Sequence, residues 1–139
     1  MSIGVVSACE CAESTVQAGK DNAQVVFRGT VIALRPAAKR RVPGDTGKIA
    51  VFRVSRVWKG TVGEIFEMPA DEATAVCWGF SPELVRGVEL LVYARQLWGS
   101  DYASQSCRTK RVKFASKDFE ELGPGEEPKP PPPLRQNSK

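Results

Sequence analysis

Two cysteines separated by one residue, in Cys9-Glu10-Cys11, constrain this chain more than any other feature of its sequence. Side chains alternate along an extended segment, so residues two apart point to the same side. Both sulfur atoms can therefore face the body of the protein while Glu10 faces outward. If both cysteines have partners elsewhere in the chain, the segment is held firmly and is presented to a binding partner.

The other two cysteines, Cys77 and Cys107, lie far downstream. Four cysteines allow three pairings, and the spacing does not choose among them. Zinc is the competing interpretation, but structural zinc sites usually bring their ligands as two close pairs, and here only Cys9 and Cys11 are close. The sequence therefore favours disulfides, which predict a secreted protein of the extracellular space or cell envelope.

The residue types exclude several functions. Among 139 residues there is no histidine, which excludes Ser-His-Asp and Cys-His catalysis and any zinc site with imidazole ligands. No residue constellation argues for catalysis, so we expect no enzyme, no cofactor and no metal ion of its own. The net charge of +4 is scattered along the chain, and no nucleic-acid partner is expected. No apolar run approaches the roughly 20 residues that span a bilayer.

Residues 1–8 look like the remnant of a secretory signal peptide. Val6 and Ala8 are small residues at the positions that precede a cleavage before Cys9, although no basic region comes first. The same residues, Val6-Ser7-Ala8-Cys9, also resemble a bacterial lipoprotein cleavage box. Lipidation would use the thiol of Cys9, usually acylate its amine and forbid a disulfide at that position.

Hydrophobic periodicity predicts five strands and two short helices. The strands are expected over residues 23–34, 48–58, 64–68, 88–97 and 105–114, and the helices over 12–20 and 116–122. Gly29 predicts a bulge within the first strand, and residues 35–47 form a long basic loop whose role is open. This pattern predicts a mainly β, five-stranded Greek-key barrel of the OB type over residues 9–122. Residues 123–139 are expected to form a proline-rich, disordered tail.

Six segments carry a family resemblance in this order: Cys9-Glu10-Cys11, AQVVFRGTV, FRVSRVWKG, Cys77 followed by Gly79-Phe80, LLVYA, and Cys107-Arg108-Thr109. They resemble the tissue inhibitors of metalloproteinases, specifically the N-terminal netrin-like OB-fold domain and its shorter bacterial relatives. The resemblance covers residues 9 to about 122. The third disulfide of the animal domain has no counterpart here, nor does the separate C-terminal domain.

The resemblance implies a disulfide pairing and a mechanism. The pairs would be Cys9–Cys77 and Cys11–Cys107. In the family, the α-amino nitrogen and carbonyl oxygen of the first cysteine chelate the zinc of the target protease, which makes Cys9 the chelator here. Glu10 would enter the specificity pocket. The segment Thr74-Ala75-Val76 would lie beside it, completing an inhibitory ridge of Cys9, Glu10, Cys11, Thr74, Ala75 and Val76.

The resemblance therefore predicts a monomeric, secreted metalloprotease-inhibitor-like domain whose partner is a zinc metalloprotease. Burying the carboxylate of Glu10 is costly unless it is paired, so the target would need a basic or wide pocket. The alternative is a netrin-like interaction module without inhibitory activity, either secreted or anchored to a membrane through lipidation of Cys9.

Overall fold

Strands dominate the part of the chain that the structure, a computed structural model, describes: residues 15–74 and 77–130. In chain order the elements are α1 (Val16–Asn22), β1 (Val25–Pro36), β2 (Lys48–Lys59), β3 (Ile65–Pro69), β4 (Glu89–Trp98), β5 (Asp101–Ser104), β6 (Lys110–Arg111), a 3-10 turn (Val112–Phe114) and α2 (Ser116–Leu122). Neither helix is long and apolar enough to cross a membrane.

The strands form one antiparallel sheet that curls into a half-barrel. Its strand order is β3-β2-β1-β4-β5, and the short β6 pairs with β4 on the edge opposite β1, the same edge that β5 occupies. The two ends of the sheet approach each other through an edge-to-face contact between Phe66 of β3 and Tyr102 of β5, whose ring centroids are 5.1 Å apart. The predicted mainly β architecture with two short helices is confirmed at this level.

The long hairpin of β1 and β2 bends at Gly29, as predicted. The pairing register shifts between Arg28 and Gly29, with further shifts earlier and later in β1. A Cβ atom added at Gly29 would lie 3.2 Å from the carbonyl oxygen of Arg53 on the opposite strand. The glycine therefore permits the close approach of backbones that curls the sheet.

Apolar side chains fill both faces of the sheet. The concave face holds the main core, in which Phe27 and Phe52 are completely buried with centroids 5.4 Å apart. On the opposite face, Val26, Leu91 and Tyr93 pack beneath α2. This double burial explains why the central parts of β1 and β4 are nearly continuous apolar runs rather than alternating ones.

A buried polar group fixes α2 to β4. The hydroxyl of Tyr93 donates to Oδ2 of Asp118 at 2.8 Å, and Nζ of Lys110 donates to Oδ1 of the same carboxylate at 2.8 Å. Thr109 accepts a hydrogen bond of 3.0 Å from the backbone N–H of Tyr93. Burial, reinforced by the neighbouring Asp118, raises the pKa of Tyr93, so this hydroxyl remains a donor.

The region 99–114 differs from the sequence prediction. The fifth strand was predicted over residues 105–114, whereas β5 occupies Asp101–Ser104 and β6 has only two residues. Gly99, with φ of +66°, allows the chain to reverse directly after β4. A second turn follows, in which the N–H of Thr109 donates to the carbonyl of Gln105 at 2.9 Å.

The first part of the predicted disordered tail is instead attached to the sheet. Val57 and Glu126 exchange two backbone hydrogen bonds of 2.8 Å, and the N–H of Lys129 donates to the carbonyl of Val62 at 2.8 Å. A Cβ atom at Gly125 would lie 2.8 Å from the ring of Trp58, so a glycine is needed for this approach. The prediction of disorder is therefore wrong for residues 123–130, while 131–139 lie outside the described residues.

Candidate functional site

Two distant segments bring Cys77 and Cys107 together at one end of the half-barrel. The N–H of Gly79 donates to the carbonyl of Ser104 at 2.7 Å. Ser106 donates to the carbonyl of Cys77 twice, from its N–H at 3.3 Å and from its hydroxyl at 3.0 Å. Because Ser106 directly precedes Cys107 in the chain, the two cysteines lie on neighbouring backbone segments.

Helix α1 begins at the same place. Thr15 caps it by accepting a hydrogen bond of 3.0 Å from the N–H of Ala18. The amide of Gln105 donates to the carbonyl of Gly19 at 2.9 Å, and a Cβ atom at Gly19 would lie 2.7 Å from the side chain of Arg108. The helix thus packs directly on the turn that carries Cys107.

The backbone around Cys77 is unusual. Its φ of +70° is the only positive φ of a non-glycine residue in the described ranges, a conformation that costs of order 1 kcal/mol or more. Its N–H donates to the carbonyl of Thr74 at 3.0 Å. Gly79 lies against Glu72, whose carbonyl oxygen would be 2.4 Å from an added Cβ.

The structure describes some of the predicted site residues and leaves others outside the described ranges. Cys77 and Cys107 are close together, and neither is a free thiol. The carbonyl of Thr74 accepts a hydrogen bond from the N–H of Cys77. Five members of the predicted ridge and its disulfides fall outside the described residues: Cys9, Glu10, Cys11, Ala75 and Val76. The pairs Cys9–Cys77 and Cys11–Cys107 therefore stay predictions.

A cleft of about 710 Å³ lies next to Ala73 and Phe80. Its walls are the segments around Asp71–Ala73 and Phe80–Leu84, with Leu34 and Lys48 from the long hairpin. The lining mixes apolar side chains with carboxylates and one ammonium group. Among residues 15–74 and 77–130, no group of three or more cysteine or acidic side chains is arranged to hold a metal ion.

The basic loop after β1 is held by carboxylates. The guanidinium of Arg40 pairs with Asp71, lies 3.1 Å from Asp101 and 3.6 Å from Asp45. Burial raises the pKa of Asp71, against the opposing effect of Arg40. Hydrogen bonds from the N–H groups of Gly47 and Arg40 lower the pKa of Asp45. This cluster ties the loop to the segment that leads to the cysteines.

The same contacts reduce the positive charge of the loop. The carboxylates around Arg40 neutralise its charge, and Arg35 pairs with Glu67. The remaining cations of the loop, Lys39 and Arg41, are exposed. Sequence reasoning missed the part that Asp71 and Asp101 play, because they lie 31 and 61 residues from Arg40 in the chain. No local pattern signals such a contact.

No protein-family model matches this chain, and no curated protein is significantly similar to it. Its function therefore has to be argued from its own residues.

Proposed function

We propose that this protein is a metalloprotease-inhibitor-like domain with a netrin-like OB fold. It presents the Cys9-Glu10-Cys11 segment to the zinc of a metalloendopeptidase, held by the disulfides Cys9–Cys77 and Cys11–Cys107. One observation supports this most. Cys77 and Cys107, which are 30 residues apart in the sequence, lie side by side at the place where the chain enters α1. Two attachment points so placed suit a Cys-x-Cys segment, whose sulfur atoms face the same side.

The proposed mechanism depends on the α-amino nitrogen and the carbonyl oxygen of Cys9 as the first residue of the mature chain. A catalytic zinc keeps one coordination position open for water. The α-amino nitrogen and carbonyl oxygen of Cys9 would displace that water. An α-amino group has a pKa of about 8, so near neutral pH a usable fraction carries a free lone pair. Any peptide bond before Cys9 removes that lone pair.

Selectivity would come from the residues beside the chelator. The carboxylate of Glu10 would enter the specificity pocket, which favours targets with a basic or wide pocket because an unpaired buried carboxylate is costly. The segment Thr74-Ala75-Val76 would lie beside Glu10, because the Cys9–Cys77 disulfide would hold the two segments together. The contacts of Arg40 with Asp71 and Asp101 support this arrangement, since they hold the approach to Thr74 in place.

The test compares two forms of the chain that differ by one residue. One form begins at Cys9 and its matched control begins at Ala8, and both are oxidised and assayed against zinc metalloendopeptidases with apolar, wide and basic pockets. We expect inhibition from the first form only, and a shift towards apolar pockets in the Glu10→Leu variant. Equal potency of the two forms would exclude chelation through the amine of Cys9.

The second candidate is a netrin-like interaction module without inhibitory activity, secreted or lipid-anchored. It is favoured by Val6-Ser7-Ala8-Cys9, which resembles a lipoprotein cleavage box. Intact-mass analysis of natural protein, with and without reduction, separates the candidates. An unmodified chain that starts at Cys9 and contains two disulfides supports the inhibitor, whereas acyl groups on Cys9 support the anchored module.

A further inference from the structure

The most exposed large apolar side chain in residues 15–74 and 77–130 is Phe114. It is 69% exposed, against 47% for Ile65 and 46% for Val85. Phe114 ends the 3-10 turn before α2, so its position is fixed by the helix that follows. Nζ of Lys113 lies 5.2 Å from the centroid of its ring. An aromatic ring is thus displayed to solvent beside a cation.

The surrounding segment is strongly basic. Residues 108–117 contain five lysines and arginines and no acidic residue. Two of the five, Arg108 and Lys110, are directed at Asp118. The other three, Arg111, Lys113 and Lys117, have no carboxylate within ion-pair distance in the part of the chain that the structure describes. The positive charge around Phe114 is therefore available to a partner.

Phe114 and Lys117 border one cleft of about 510 Å³, which Thr15 and Val16 also line. The acidic side chain of Glu121 lies at the same cleft and weakens its positive charge. Cys9 precedes Thr15 by six residues, a span of at most about 20 Å. An acyl chain on Cys9, in the lipid-anchored alternative, could therefore reach a membrane that touches this surface.

We propose that Phe114, Lys113 and Lys117 form a docking surface for anionic phospholipid membranes. An aromatic ring suits the headgroup region, where its apolar body is buried, and lysines near the surface are attracted by the negative potential of anionic lipids. Long lysine stems can reach the headgroups while the ring enters the interface. The proposal is independent of the inhibitory activity and goes beyond it.

A single-stranded nucleic acid is the competing partner for a basic surface with an aromatic residue. Such binders combine a groove that follows the backbone with several aromatic side chains on which successive bases stack. Among the residues that the structure describes, Phe114 is the one exposed aromatic ring near these cations. The chemistry therefore favours a lipid surface.

The experiment is vesicle co-sedimentation of the unacylated full chain. Vesicles of pure phosphatidylcholine are compared with equimolar phosphatidylcholine and phosphatidylglycerol, at low and at physiological salt. We expect binding only to the anionic vesicles, weakened by salt. The variant Lys113→Gln/Lys117→Gln should lose about thirty-fold in affinity, and Phe114→Ala about ten-fold. Glu121→Gln should bind more tightly than the parent.

Matched controls use equivalent residues elsewhere on the surface. Lys39→Gln/Arg41→Gln removes two exposed cations from the loop after β1, and Ile65→Ala removes an exposed apolar side chain from β3. Both should bind like the parent. Equal losses in these controls, binding to phosphatidylcholine alone, or binding to an oligothymidylate without binding to vesicles would each overturn the proposal. Thermal unfolding of every variant confirms that it is folded.

Discussion

The hydroxyl of Tyr93 and the carboxylate of Asp118 form a 2.8 Å hydrogen bond between side chains that are almost wholly buried. Tyr93 belongs to the central strand β4 and Asp118 to α2. The same carboxylate accepts from Lys110 and lies 3.9 Å from Arg108, which follows Cys107 in the chain. One buried acid thus joins the sheet, the second helix and the segment of the candidate site.

Removing the hydroxyl of Tyr93 should destabilise the fold. In Tyr93→Phe, the buried carboxylate of Asp118 keeps Lys110 but loses a donor to a charged group, which costs about 1.5–3 kcal/mol in the free energy of unfolding. Tyr102→Phe is the control, because the half-buried hydroxyl of Tyr102 has no hydrogen bond within the described ranges. That variant should change stability by less than about 0.5 kcal/mol. Urea unfolding measures both, and equal changes would contradict the assigned bond.

Arg40 should contribute far more to the free energy of unfolding than its neighbour Arg41 does. Replacing Arg40 by glutamine leaves the buried carboxylate of Asp71 without its cation and costs about 3 kcal/mol. The exposed side chain of Arg41 has no ion pair in the described part of the chain, so Arg41→Gln should change stability by less than about 0.5 kcal/mol. Denaturant titration of the two variants tests this, and similar losses would argue against the cluster.

Asp71 and Asp45 face the same guanidinium but should respond to pH in opposite directions. The pKa of Asp71 is raised above 3.8, mainly by burial, so the folded state holds this proton more tightly than the unfolded chain does. The contribution of Asp71 is therefore fully present below pH 3.8 and is lost as the pH rises through its raised pKa. The pKa of Asp45 is lowered, so its contribution is present above pH 3.8 and is lost as the pH falls.

Two variants make this measurable. The free energy of unfolding of the parent minus that of Asp71→Asn should fall as the pH rises above 3.8. The same difference for Asp45→Asn should fall as the pH drops below 3.8. Slopes of the same sign for both variants would contradict the opposite pKa shifts.

The sequence predicted the fold best where periodicity extends over many residues. Strands β1, β2 and β4 are each ten or more residues long, and they lie within two residues of their predicted bounds. The region after β4 was predicted wrongly, because β5 has four residues and β6 two. Strands that short carry no periodic signal, and only the sheet beside them determines their conformation.

The candidate site was predictable only through its cysteines. Their number and spacing singled out Cys77 and Cys107, which the fold brings together through backbone hydrogen bonds of Ser106 and Gly79. The acids around Arg40 and the exposed ring of Phe114 depend on tertiary placement. Nothing in the sequence distinguishes Phe114, which is exposed, from Phe119, which packs on Trp58 with ring centroids 5.5 Å apart.

Gly79 should be the glycine most sensitive to substitution near the site. In Gly79→Ala the new Cβ would lie 2.4 Å from the carbonyl oxygen of Glu72, at a φ of +123°, so a clash adds to backbone strain. Gly87→Ala is the control, because its φ of +98° is also positive but nothing lies within 4 Å of the added atom. We expect Gly87→Ala to cost about 1 kcal/mol and Gly79→Ala at least about 2 kcal/mol more. Thermal and urea unfolding measure the difference; its absence would show that Gly79 does not lie against Glu72.

The proposed disulfide pairing makes a prediction about double variants. Each bond closes a long loop and should stabilise the folded state by roughly 4 kcal/mol in the chain-entropy account. Cys9→Ser and Cys77→Ser should each lose that amount, and the double variant Cys9→Ser/Cys77→Ser should lose no more, because the two residues share one bond. Cys9→Ser/Cys107→Ser should lose about twice as much, since it breaks both bonds. Urea unfolding under oxidising conditions gives the four values, and peptide mapping of the unreduced parent identifies the linked cysteines directly. If Cys9→Ser/Cys107→Ser is instead no less stable than Cys9→Ser, Cys9 pairs with Cys107, and Cys9 is not held against the segment 74–76.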